Sequence, residues 1–332
     1  MKRFILYVLV FFSPLFVVGL LYLSLDPFKV IFHYDEYYDN SNKVGINRSF
    51  VSTMTYLNQH SKQHYNSFIF GNSRSLFYEV SEWRKFLIGN SRCYHFDASS
   101  GAIKSLFDKV VLIDKCGDSI KNALVVMDHE LLDREEIKRG YLYMEPPQLQ
   151  NGDNAFRWHI EHIKAFVNPL FFIALIDYSL FKTYRPYMGN YIQIENGAVY
   201  DQVTNEIRSE GKEEEIIAGT YYTESKKSVF EGVQKPGAIS KHLMTKSEAV
   251  WFKRMAMIFK KHHTDFRIVL GPQYDQIQIN PFTLHCLKNI FGDEHVFDFT
   301  GVNKWNTDYT NYYEESHYRP HVASEVMNII YN

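Results

Sequence analysis

The sequence predicts an α/β protein built on a doubly wound, mainly parallel sheet, and three observations carry that expectation. Apolar runs of strand character recur at residues 68–70, 93–96, 123–127, 266–270 and 295–299. Helix-patterned segments separate them, as in 102–115, where Ile103, Leu106, Val110, Val111 and Ile113 form the apolar set. Runs apolar throughout, alternating with helices, belong to strands covered on both faces. Third, polar residues stand where the runs stop: Gly71-Asn72-Ser73 after the first, Asp97 after the second and Asp128 after the third. That is the carboxyl edge, where α/β sheets hold their ligands.

Taken in order, residues 4–25 read FILYVLVFFSPLFVVGLLYLSL, without a charge. That length crosses a bilayer's hydrocarbon core as a helix, and such helices tolerate a proline such as Pro14. Lys2 and Arg3 precede it, which predicts a cytoplasmic amino terminus and a periplasmic or extracellular main domain. A cleaved signal peptide is the rival reading; against it, the run is long and no small-x-small site follows. Residues 26–64 form a juxtamembrane connection with a helix near 49–61. In it Asn47-Arg48-Ser49 fits a glycosylation sequon but reads as a chance match.

The domain spans 65–332. After the first strand, 76–87 has a helix-like pattern, and after the third strand the alternation breaks for an insertion at 131–246. Within the insertion, Asn196-Gly197 between alternating residues of 191–200 predicts a β-hairpin. The apolar stretch 166–181 is interrupted by Asn168, Pro169 and Asp177, so it reads as a buried helix rather than a second span. A helix lying in the membrane surface, or docking a membrane partner, is the sharper alternative. The insertion is expected to lie over the ligand edge of the sheet. The core resumes with a helix at 247–261, a helix at 281–291, a loop at 308–317 and a last helix at 321–331.

Net charge is −2 with no basic stripe, which argues against nucleic-acid binding. The three cysteines, Cys93, Cys116 and Cys286, make no disulfide framework; one pair plus a thiol, or three thiols, both remain open. No Cys/His spacing suggests a metal site, and His262-His263 reads as a solvated helix end. No cofactor motif stands out.

A strand ending at Gly71-x-Ser73 before a helix presents one hydroxyl beside backbone N–H groups, which suits Ser73 as a nucleophile. A hydroxyl needs a base and the base an orienting carboxylate; Glu314-x-x-His317 offers both within one turn. Glu315 would substitute for Glu314 if that turn were rotated.

The blocks Gly71-Asn72-Ser73 and Glu314-x-x-His317, in that order, resemble the SGNH (GDSL-like) hydrolase superfamily. The likeness covers roughly 66–130 and 265–331. It is closest to membrane-anchored members serving cell-surface polymer acylation, such as relatives of the alginate acetylation proteins and of the D-alanyl transfer protein of teichoic acid modification. The resemblance implies a flavodoxin-like three-layer fold and a Ser73–His317–Glu314 triad. It also implies an oxyanion hole from the Ser73 and Gly101 N–H groups. The family's third block offers an Asn side chain where this chain has Asp128, whose ionised form would repel an oxyanion. Asp128 is then free to hold Arg74, orient a loop or meet a substrate hydroxyl; Asn72 and Arg74 are substrate or structural residues. The implied activity is a serine esterase or O-acyltransferase on acyl esters, above all acetyl, of a cell-surface glycan or a small acylated substrate. A membrane-bound O-acyltransferase is the implied partner. The alternative is an inactive accessory subunit of a surface-polysaccharide assembly or acylation complex.

Overall fold

A computed structural model of the chain describes residues 2–38, 43–99, 101–133, 140–193 and 197–332. Helices α1 (Lys2–Leu25) and α2 (Arg48–Gln63) precede strand β1 (Ser67–Phe70). Then follow α3 (Val80–Trp83), β2 (Cys93–Phe96), α4 (Ile103–Cys116), β3 (Asn122–Met127) and α5 (His129–Leu132). The middle of the chain contributes α6 (Ala155–Phe166), α7 (Pro169–Phe181), β4 (Val199–Tyr200), β5 (Ile207–Arg208), α8 (Glu210–Ile217) and α9 (Glu224–Lys227). The domain closes with α10 (Lys246–His262), β6 (Asp265–Leu270), α11 (Pro281–Phe291), β7 (Val296–Asp298), the hairpin β8 (Tyr312–Glu314) and β9 (His317–Tyr318), and α12 (Pro320–Tyr331).

The central sheet is five-stranded and parallel throughout, in the order β2-β1-β3-β6-β7. The period of two along each strand splits its residues between two cores. Phe68, Phe70, Ala123, Val125, Met127, Ile268 and Leu270 meet α2, α4, α10 and α11 on one face. Ile69, Leu124, Val126 and Val269 meet α3 and α12 on the other. Both faces are therefore buried, which is why the strands read as continuous apolar runs. Local signals set the helix ends: Thr245 and Glu248 form a capping box on α10, and Asn280 caps α11 ahead of Pro281.

The structure departs from the sequence expectations in four places. Residues 76–87 do not form one helix: a 3₁₀ turn (Ser73–Phe77), α3 and a second 3₁₀ turn (Arg84–Phe86) replace it. The break falls at Tyr78, whose ψ of 82° is not helical and whose ring is buried against Tyr318. In the expected 191–200 hairpin, 194–196 lie outside the described residues; Ile192 bridges to Val44, and Val199–Tyr200 pairs with Ile207–Arg208. The stretch 166–181 is not a buried helix. It breaks at Asn168–Pro169, α6 and α7 diverge by 62°, and α7 buries only Phe171 and Ala174 while exposing Leu170, Ile173, Ile176 and Leu180. The 308–317 loop is partly the β8–β9 hairpin. The Asn47 sequon is the chance match expected: Asn47 is 2% exposed, caps α2, and donates to the carbonyls of Tyr141 and Met144.

Helix α1 leaves Phe4, Phe11 and Phe16 largely exposed. Among the described residues no single helix is long and apolar enough to cross a membrane; the apolar stretch Val10–Leu25 of α1 is shorter than that, and α6 and α7 reach the length only together, across their bend. The three cysteines are free thiols.

Candidate functional site

Parallel pairing puts the ends of β1, β2, β3 and β6 at one edge, and with them Ser73, Asp97 and Asp128. The turn after β1 is tight. A Cβ on Gly71 would sit 2.4 Å from Ser75 Cβ and 3.0 Å from the Val126 carbonyl oxygen. Gly71→Ala is therefore expected to cost about 1–3 kcal/mol, the usual range for overpacking, read as a lowered denaturation midpoint; an unchanged midpoint would contradict this packing. Asn72 closes the turn, its Oδ1 accepting from the Arg74 N–H at 2.9 Å. Ser73 then opens a 3₁₀ turn, its N–H making no hydrogen bond among the described residues.

The far end of the chain arrives at this turn. His317 Nε2 lies 2.8 Å from Ser73 Oγ, and His317 Nδ1 hydrogen-bonds Glu314 Oε1. With Nδ1–H donating to the carboxylate, Nε2 is left to accept the hydroxyl proton. Burial disfavours the Glu314 charge, but the hydrogen bond and charge interaction with His317 outweigh it and hold the carboxyl below its usual range. Glu314, not Glu315, is thus the orienting group. Phe77 packs edge-on against the His317 ring and also against Tyr313 and Tyr318, which fixes the imidazole's attitude over the turn.

Arg74 and Asp128 tie the two segments together from beneath. Arg74 donates through Nη1 to Asp128 (3.2 Å), through Nη2 to Glu130 (2.5 Å) and through Nε to the carbonyl of Ser316 (3.0 Å), the residue before His317. Asp128 also accepts from Asn72 Nδ2 and the Leu131 N–H. Burial opposes its charge; Arg74 and these donors overcome that and keep it ionised below the usual range. Asn72, Arg74 and Asp128 are therefore a structural brace, and Asp128 supplies no oxyanion donor. Gly101 is buried two residues beyond Ser99, a residue of the cavity wall, and its N–H makes no hydrogen bond among the described residues.

A cavity of about 190 Å³ opens over Ser73 and His317, walled by Arg48, Leu76, Phe77, Ser99, Ala198, Ile207, Ser209 and Lys212. This is below the about 300 Å³ of drug-sized sites, so it suits a short acyl group. A larger cavity of about 660 Å³ lies between α10 and α11 beside the start of β6, away from the Ser73 edge. Among the described residues no His/Cys/Asp/Glu group could hold a metal ion.

No known family model matches the chain, and no curated protein resembles it significantly.

The wall residues from the middle of the chain were not legible in the sequence, because no motif marks them. Their elements brace the site as well. Tyr221 and Tyr222 donate to the carbonyls of Tyr313 and Tyr312 (3.2 and 2.7 Å), and Glu213 takes hydrogen bonds from Tyr313 and Arg319. Arg48 also went unread as a site residue; it forms a buried two-point pair with Asp97 at 2.9 and 2.6 Å. Asn205 bonds the same carboxylate, which anchors the β4–β5 turn to the end of β2.

Proposed function

We propose that this chain is a serine esterase or O-acyltransferase of SGNH type, anchored by α1 and working outside the cytoplasm on acyl esters of a cell-surface glycan. The observation that carries this reading is the Ser73–His317–Glu314 relay: hydroxyl to imidazole at 2.8 Å, imidazole to carboxylate on its far nitrogen. Ser73 attacks the acyl carbonyl as His317 takes its proton, then returns it to the leaving alcohol. Glu314 holds the tautomer and stabilises the imidazolium. The Ser73 N–H, and the Gly101 N–H beside it in this reading, meet the oxyanion. The uncharged 4–25 segment preceded by Lys2 and Arg3 supports the anchor and its orientation.

A fluorophosphonate probe is expected to label the full chain and to spare Ser73→Ala; equal labelling of both would end the proposal. An ionised carboxylate at Asp128, where the resembling family offers an amide, favours a second reading, an accessory subunit that has lost turnover. That reading expects Ser73→Ala to leave surface acylation unchanged in cells, and a loss of acylation rules it out.

A further inference from the structure

We infer that the cavity over Ser73 takes an ester whose neighbouring substituent is anionic, a carboxylate or a phosphate, with Lys212 as its counter-ion; this rests on the esterase reading above.

Two basic side chains wall the cavity, and only one has an ion-pair partner among the described residues. Arg48 is committed through Nε and Nη2 to Asp97, which is fully buried, and its guanidinium lies 4.8 Å above the Tyr38 ring. Lys212 makes no ion pair among the described residues; its ammonium lies 4.9 Å over the face of Tyr313.

The surroundings make that solitude informative. Lys212 sits in an acidic run of α8, where only Glu215, three residues on, shares its face of the helix; Glu215 pairs with Lys226 instead, while Glu210 pairs with Arg208 and Glu213 with Arg319. Among the described residues no carboxylate lines the cavity. Leu76, Phe77, Ala198 and Ile207 make much of the remaining wall apolar. A cation beside apolar walls attracts an anion more strongly than it would in open water. Lys212 shares the cavity wall with Ser73 and His317, and its charge helps to hold the Glu314 carboxyl below its usual range. Lys212 is thus placed to select the substrate rather than to hold the fold.

The test uses the full chain in nonionic detergent and three acetyl esters: of methyl glucoside, of methyl glucuronoside and of methyl glucoside 6-phosphate. At least one anionic ester is expected to exceed the neutral one in kcat/KM by about tenfold, the size of one charged hydrogen bond. Which of the two it is separates a carboxylate from a phosphate. Lys212→Met should lower the anionic ester's kcat/KM about tenfold more than the neutral ester's, and Lys212→Arg should keep the preference. Equal kcat/KM for all three esters overturns the inference. So does an equal loss in Lys212→Met, which is what a role confined to Glu314 would give. A second arm needs no turnover: Ser73→Ala is titrated with the unacylated methyl glucuronoside, methyl glucoside 6-phosphate and methyl glucoside. Tighter binding of an anionic sugar that disappears on adding Lys212→Met supports the inference, and equal binding of all three overturns it. Fluorophosphonate labelling alone judges the esterase, so the two failures are distinguishable.

Discussion

Replacing His317 with alanine is expected to lower ester turnover about ten-thousandfold or more, while the protein keeps its fold. The hydroxyl of Ser73 is a weak nucleophile until a base takes its proton, and His317 Nε2 is the group in reach, at 2.8 Å. The imidazole is partly exposed and packs chiefly on Phe77, so its removal leaves no large buried cavity. Fluorophosphonate labelling of Ser73 should slow in parallel with turnover. Glu314→Gln should cost less than His317→Ala, because it leaves the base in place but weakens control of its tautomer. Measured kcat values for acetate release decide the matter: a His317→Ala variant within tenfold of the parent would remove His317 from the chemistry.

Arg74→Met is expected to destabilise the domain by about 3–5 kcal/mol, the range for breaking a buried ion pair from one side. Asp128 is fully buried, and without the guanidinium its hydrogen-bond donors among the described residues are the Asn72 amide and the Leu131 N–H. The Ser316 carbonyl loses its donor at the same time, so the hairpin carrying His317 loosens from the Ser73 turn. Glu130 matters less, because it is half-exposed and its pairing is screened. Adding Asp128→Asn to Arg74→Met should recover part of the loss by removing the uncompensated charge. The pH dependence has a definite sign. Asp128 titrates below the ordinary 3.8 in the folded protein, so the pair's stability is complete above that value and is lost as pH falls through the lower folded one. The gap between parent and Arg74→Met should therefore hold steady down to about pH 4 and narrow as pH falls below it. Denaturation of the detergent-solubilised chain measures both effects; a gap that widens towards acid would mean that Asp128 is not the partner that matters.

The strands were legible because burial on both faces leaves a local trace. Strand β2 was expected at 93–96 and is found there, and β1, β3 and β6 each begin one residue early. Helices α4, α10 and α11 were legible for a similar reason, since one apolar stripe at helical spacing meets the sheet. Segments whose shape depends on distant partners were misread. Residues 76–87 carry a helical pattern, but Tyr78 is drawn out of it to pack on Tyr318, more than two hundred residues away. Val199 and Tyr200 pair forwards with β5 because Asn205 is held by Asp97 at the end of β2. The apolarity of α7 signalled burial, yet most of its large side chains stand exposed.

From sequence alone came the alternating architecture, the turn carrying Ser73, and the Glu314–His317 spacing, because each depends on residues within a few positions of one another. Tertiary structure alone decided that the hydroxyl and the imidazole meet, 244 residues apart in sequence. It also decided that Arg74 and Asp128 clamp their two segments from below, and that Lys212 reaches the same cavity from the middle of the chain. Such contacts arise from parallel strands gathering their carboxyl ends at one edge, and side chains brought together that way leave no periodic mark in the sequence.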